Sequence, residues 1–152
     1  MKFTLDSFYK FCDSLRVDTK EYGIVPLGKK LYAGQKYLIE SIEAALRDED
    51  IHTFVILKGR QLGITTISLA LDLYWQFIHP GWQGTLVSDT EENREMFRST
   101  LGMYHEHLPR EFKIPLEGHN RNQMVLKNRS RLFYQVAGNR IRVSGYRLQV
   151  SG

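Results

Sequence analysis

From Gly34 to Asp50 the apolar positions Leu38, Ile42, Ala45 and Leu46 recur at helical spacing, and the acidic cluster Asp48, Glu49, Asp50 stands where the recurrence stops. That pattern predicts an amphipathic helix with a solvated end. Thr53 to Leu57 (TFVIL) is a short apolar run with β-branched members and no polar alternation, as expected of a strand buried on both faces of a parallel sheet. A glycine-containing turn follows it directly. After Gly63, the residues Ile67, Ala70, Leu71, Tyr74, Trp75 and Ile78 form one broad stripe at spacings of three and four, and His79-Pro80-Gly81 closes the predicted helix.

The alternation then repeats. Gly84 to Ser88 (GTLVS) reads as a second buried strand, and Asp89 with Glu92 three residues later gives a capping-box-like helix start. Phe97, Leu101, Tyr104 and Leu108 supply that helix with an apolar face. Strand, turn, helix, repeated, is the order that builds a parallel sheet with right-handed crossovers, so the fold class expected is α/β. Beyond Pro115, Gln123 to Lys127 and Leu132 to Val136 are strand candidates separated by Asn128-Arg129-Ser130, which suits a hairpin turn. Tyr146 to Val150 is a last strand candidate, and helical signals around Phe8 to Leu15 mark the first thirty residues.

Length and composition narrow this picture. A chain of 152 residues, 42% of them hydrophobic, can bury one core and is too short for two well-developed domains. Cys12 is the single cysteine, which rules out an internal disulfide and fits a reducing compartment. Asp6 interrupts the N-terminus before a signal-peptide apolar region develops, and no stretch approaches the ~18 apolar residues of a membrane span. The expectation is a soluble, unprocessed, cytoplasmic protein. Charge is uneven: nine Lys and Arg against two Glu from Arg110 onward give +7, whereas the residues before it carry −3. Such a tract can attract a phosphate backbone, or simply form a solvated face.

Lys58-Gly59-Arg60-Gln61-Leu62-Gly63-Ile64-Thr65-Thr66 lies between a predicted buried strand and an amphipathic helix. A phosphate needs inward-pointing backbone N–H groups, the positive end of a helix dipole, a cation, and a hydroxyl for Mg²⁺, which strand, glycine loop and helix can assemble. Against G-x-x-x-x-G-K-[ST], Gly63 and Thr65 fall in register, while Lys58 takes the first glycine's place and Ile64 the lysine's. A lysine at the front of the loop can fold back to reach the β- and γ-phosphates. Arg60 adds a second cation able to stabilise charge on a transferred phosphoryl group. The alternative is an ordinary glycine turn with solvated charges.

The loop KGRQLGITT resembles the deviant Walker A motif of phage terminase large subunits, in which the lysine moves to the front and an arginine follows. Leu31-Tyr32-Ala33-Gly34-Gln35-Lys36-Tyr37 looks like that family's adenine-recognition segment, and a glutamine amide offers the donor and acceptor that an adenine edge requires. By itself Gln35 would be read as an exposed helix residue. GTLVSDTEENREMF and NQMVLKNRSRLFYQVAG are similar to the family's second strand and helix and to its hairpin, so the resemblance runs from about Leu31 to about Gly138.

The resemblance implies a P-loop ATPase domain with a mainly parallel sheet flanked by helices and a late β-hairpin, spanning 31–152 behind an N-terminal helical segment, 1–30. It implies ATP and Mg²⁺, with Gln35 at adenine, residues 58–66 around the triphosphate, Lys58 and Arg60 in catalysis and Thr65 on Mg²⁺. Double-stranded DNA, the portal or procapsid and a small terminase subunit are the partners implied, in the host cytoplasm if the protein is viral or from a prophage. Departures from the family pattern are equally plain. No apolar strand ending in the Walker B acidic pair is present. Ser88 interrupts Leu86-Val87-Ser88-Asp89-Thr90-Glu91, and Asp89 is better explained as a helix N-cap. Arg140 to Arg147 would be the approach to the missing strand, and no carboxylate-rich nuclease domain follows. The expectation is therefore an incomplete domain that binds nucleotide weakly and turns over slowly or not at all. A helicase-like translocase and a non-catalytic basic nucleic-acid-binding module are the competing readings. His105 and His107, two residues apart, lie on different helix faces and are expected at the surface; Trp75 and Trp82 are expected in core or turn packing.

Overall fold

The structure, a computed structural model, describes residues 2–57, 59, 63–138 and 146–149. Helix α1 (Leu5–Ser14) starts at Thr4, whose hydroxyl accepts the Ser7 N–H at 3.3 Å, and it buries Phe8, Phe11 and Cys12. A β-hairpin follows, β1 (Arg16–Thr19) against β2 (Gly23–Pro26) with Val17 opposite Val25. A 3-10 turn (Leu27–Lys30) leads to α2 (Ala33–Asp48). The first thirty residues thus hold the expected helix and, beyond it, a hairpin over 16–26 that was not expected.

The second half carries α3 (Ile64–Ile78), β3 (Gln83–Ser88), α4 (Glu91–His107), β4 (Leu116–His119), β5 (Gln123–Leu126), β6 (Arg131–Val136) and β7 (Tyr146–Gln149). The five late strands form one sheet in the order β4-β5-β6-β3-β7. Strand β3 runs parallel to both β6 and β7, with Leu86 opposite Tyr134 and Leu148, whereas β4, β5 and β6 are antiparallel neighbours. The class is mixed α/β, and the sheet is mixed where a mainly parallel one was expected. The β5–β6 hairpin turns at Asn128-Arg129-Ser130 as its turn residues predict, with Arg129 at φ 69° and the Ser130 N–H donating to Asn128 Oδ1 at 3.0 Å. Among the described residues no helix is long and apolar enough to cross a membrane.

Thr53–Leu57 departs most from expectation. It belongs to neither sheet, and Val55 and Leu57 are 86% and 95% exposed, while Phe54 and Ile56 are half-buried. The apolar, β-branched run has strand character, but β6 and β7 occupy both edges of β3, and the run pairs with neither outer strand of the sheet, β4 or β7. Because their side chains already lie in water, the double variant Val55→Thr, Leu57→Gln is expected to shift unfolding free energy by less than about 0.5 kcal/mol in urea denaturation. A loss above about 2 kcal/mol would mean that the run is buried in solution.

One core joins the helices to the sheet. Phe8, Phe11 and Leu15 at the N-terminus, Ile67, Ala70, Leu73 and Tyr74 of α3, Phe97, Leu101 and Tyr104 of α4, and Leu86, Met124, Leu132 and Tyr134 of the sheet belong to it. Helix α3 packs against α1, α2 and α4 and is buried on nearly every side, which explains its high apolar content. The two indoles bracket its far end. Trp75 lies tilted against His79 with ring centroids 4.6 Å apart and meets Phe3 at 5.7 Å, and Trp82 lies across Gly84, where any Cβ would overlap the indole.

Candidate nucleotide-binding site

Helix α3 opens at Gly63, whose φ of 67° and ψ of 18° place it in the left-handed region that side chains disfavour. With no side chain at Gly63 to cap the helix, the first-turn N–H groups of Ile64, Thr65 and Thr66 have no side-chain acceptor among the described residues, while the Gly63 carbonyl accepts the Ile67 N–H at 3.2 Å. A helix end in this state carries the positive pole of its dipole and unspent donors, which together suit an anion. Ile64 is buried, Thr65 and Thr66 are half-buried, and Gly59 is exposed. Lys58, Arg60, Gln61 and Leu62, also expected in the loop, lie outside the described residues.

Gln35 is the third residue of α2 and only 2% exposed. Its carbonyl oxygen accepts the Tyr32 N–H at 2.8 Å, and its amide nitrogen donates to the Gly63 carbonyl at 2.7 Å. Two segments that the sequence singled out, 28 residues apart, therefore meet through this one side chain. The glycine at 63 is required twice over, since a Cβ there would overlap Gln35 Nε2 as well as strain the backbone. Beside them the Tyr32 ring is 64% exposed, its edge 3.6 Å from the position such a Cβ would take.

Other candidates are placed differently from expectation. The N-cap of α4 is Thr90, whose hydroxyl accepts the Asn93 N–H at 3.1 Å, whereas Asp89 accepts only from the Asn93 side chain. A threonine one residue later satisfies the same helix end, so the Asp89 cap expectation is off by one position. His105 is 5% exposed, not a surface residue, and its Nε2 lies 2.7 Å from the Ile114 carbonyl; His107 is exposed. Burial lowers the His105 pKa against the raising effect of that carbonyl, and burial is likewise the first cause lowering those of His79 and His119. Among the described residues no group of three or more His, Cys, Asp or Glu is placed to hold a metal ion.

Two buried polar residues escaped the sequence reading. Asp72 and Gln76, one helical turn apart on α3, are 6% and 0% exposed. Asp72 Oδ2 and both polar atoms of the Gln76 amide have no hydrogen-bond partner among the described residues, and the same holds for Thr85 and Ser130 hydroxyls. Burial raises the Asp72 carboxyl pKa well above its ordinary range. A pair of polar residues at i and i+4 inside an otherwise apolar helix was the available signal.

Neither a protein-family model nor a curated protein sequence matches the chain.

Proposed function

We propose that the chain carries the ATP-binding part of a DNA-translocating motor, a P-loop-type α/β domain similar to that of phage terminase large subunits. The observation that carries this is Gly63 in the left-handed conformation, opening a long helix whose N-cap supplies no side-chain cap, directly after a sequence that holds Lys58 and Arg60. On this reading the N–H groups of residues 63–66 hold phosphate oxygens, and Lys58 and Arg60 neutralise the β- and γ-phosphates. The half-buried Thr65 hydroxyl, on the first turn of α3, is the group suited to Mg²⁺. Bound Mg²⁺ would supply charge neutralisation along the triphosphate. Work on double-stranded DNA, docking to a portal or procapsid and pairing with a small subunit belong to this same proposal.

Calorimetric titration with ATP and Mg²⁺ on the native chain and on Lys58→Ala tests it. Binding that weakens at least tenfold in the variant, about 1.4 kcal/mol, is the expected result. Binding that survives the substitution unchanged, or a folded native chain that binds no nucleotide, would defeat the proposal. A second reading has one observation in its favour: Lys127, Arg129 and Arg131 are all exposed around the β5–β6 turn. DNA binding that falls steeply with salt and persists in Lys58→Ala would favour a non-catalytic basic module instead.

A further inference from the structure

Among the described residues, the amide of Gln35 joins the start of α2 to the start of α3. At 2% exposure it offers almost no surface to an incoming base. Its oxygen is engaged by the Tyr32 N–H at 2.8 Å and its nitrogen by the Gly63 carbonyl at 2.7 Å. Both are backbone groups, so the side chain fixes the course of the main chain on either side of it. The Gly63 carbonyl it holds belongs to the residue whose left-handed torsion aims the first turn of α3. A side chain with its donor and its acceptor each tied to backbone, and buried besides, is suited to bracing and not to reading a ligand's edge. Among the described residues, an exposed group beside Gly63 is the side chain of Tyr32, whose main-chain amide Gln35 anchors. An aromatic face is a sequence-tolerant platform for a nucleobase.

We infer that Gln35 is a positioning residue that braces Gly63 and the first turn of α3 in their anion-binding orientation, and that a nucleobase bound there rests on the Tyr32 ring instead of pairing with Gln35. The binding arm rests on the nucleotide proposal above; the bracing arm does not.

Gln35→Glu keeps an acceptor for the Tyr32 N–H and, above the titration range of its carboxyl, has no donor for Gly63. Gly63→Ala breaks the same contact from the opposite side and serves if the first variant folds poorly. Amide hydrogen exchange is measured on both variants and the native chain without ligand. Exchange at residues 67–70, whose N–H groups bond to the carbonyls of the first turn beginning with Ile67 to Gly63, is expected to quicken at least tenfold while β5 and β6 stay protected; unchanged exchange at 67–70 overturns the bracing role. ATP, GTP and inorganic tripolyphosphate are then titrated with Mg²⁺ into each protein and into Tyr32→Ala. Loss of Gln35 should weaken all three ligands by a similar factor, and loss of Tyr32 should weaken the two nucleotides while sparing tripolyphosphate. A Gln35 variant that loses ATP alone would make Gln35 the base reader and overturn the inference. If the native chain binds none of the three, the nucleotide proposal fails, the Tyr32 assignment falls with it, and the exchange result alone decides the brace.

Discussion

Replacing Tyr74 with alanine should remove about 3–5 kcal/mol of stability, the range for truncating a fully buried aromatic. Tyr74 is 0% exposed, and its ring centroid lies 5.1 Å from that of Phe11 and 5.4 Å from that of Phe8, with Phe3 and Phe77 near 6 Å. Its hydroxyl donates to Ser7 Oγ at 2.6 Å across 67 residues of sequence. The ring is therefore the knot by which α1 is held to α3, and its loss opens a cavity between two helices that have few other ways to collapse. Tyr74→Phe keeps the ring and should cost only about 0.5–1.5 kcal/mol, the net worth of one hydrogen bond. Urea unfolding of both variants makes the comparison. A cost below about 1 kcal/mol for Tyr74→Ala would show that α1 is not docked in solution.

Asp72→Asn should stabilise the protein increasingly as pH rises from 4. The carboxyl is buried without a charged partner, and burial raises its folded-state pKa well above the unfolded value of 3.8. Between those two values the folded chain holds a proton that the unfolded chain has released, so stability falls with rising pH by about 1.4 kcal/mol per unit. Below the unfolded pKa both states are protonated and the term vanishes. Asparagine matches the neutral acid in shape and does not titrate, so the two proteins should coincide near pH 4 and diverge above it. The buried histidines act in the opposite sense: their folded pKa values lie below the usual 6.5, and the stability they contribute is lost as pH falls. They are common to both proteins and cancel in the difference. Parallel melting-temperature profiles between pH 4 and 8 would refute the assignment.

Helices α2, α3 and α4 and the β5–β6 hairpin were legible because each rests on a local signal: apolar recurrence at three and four, an acidic cluster after α2, Gly63 before α3 and His79-Pro80-Gly81 after it, a turn tripeptide. Strand β3 was legible for the same reason. Pairing is non-local, and there the sequence misled. Thr53–Leu57 has the composition of a central strand, but composition cannot show that β6 and β7 leave no edge of β3 free. The β1–β2 hairpin was missed because its strands are four residues each with a mixed burial pattern, leaving Gly23 at φ 66° as the principal cue. Of the candidate site, Gly63 and Gln35 were both marked in advance, one by a loop pattern and the other by resemblance. That they touch, and that the contact consumes both ends of the Gln35 amide, follows only from how α2 and α3 pack. Asp72 and Gln76 look like residues for a solvated helix face, and only the enclosure of α3 turns them inward.

The placement of the two tryptophans decides what the chain's own fluorescence can report. Trp75 stands twelve positions along from Gly63, roughly 18 Å at 1.5 Å per residue, and Trp82 lies beyond the far end of the same helix. Their emission is an internal gauge of whether the N-terminal segment and the sheet remain assembled around α3. Events at the opening turn of that helix occur too far away to alter either indole's immediate surroundings. Ligand titrations on this chain are therefore best followed by heat or by an introduced label near Gly63, with intrinsic emission kept as the independent check that the fold is intact.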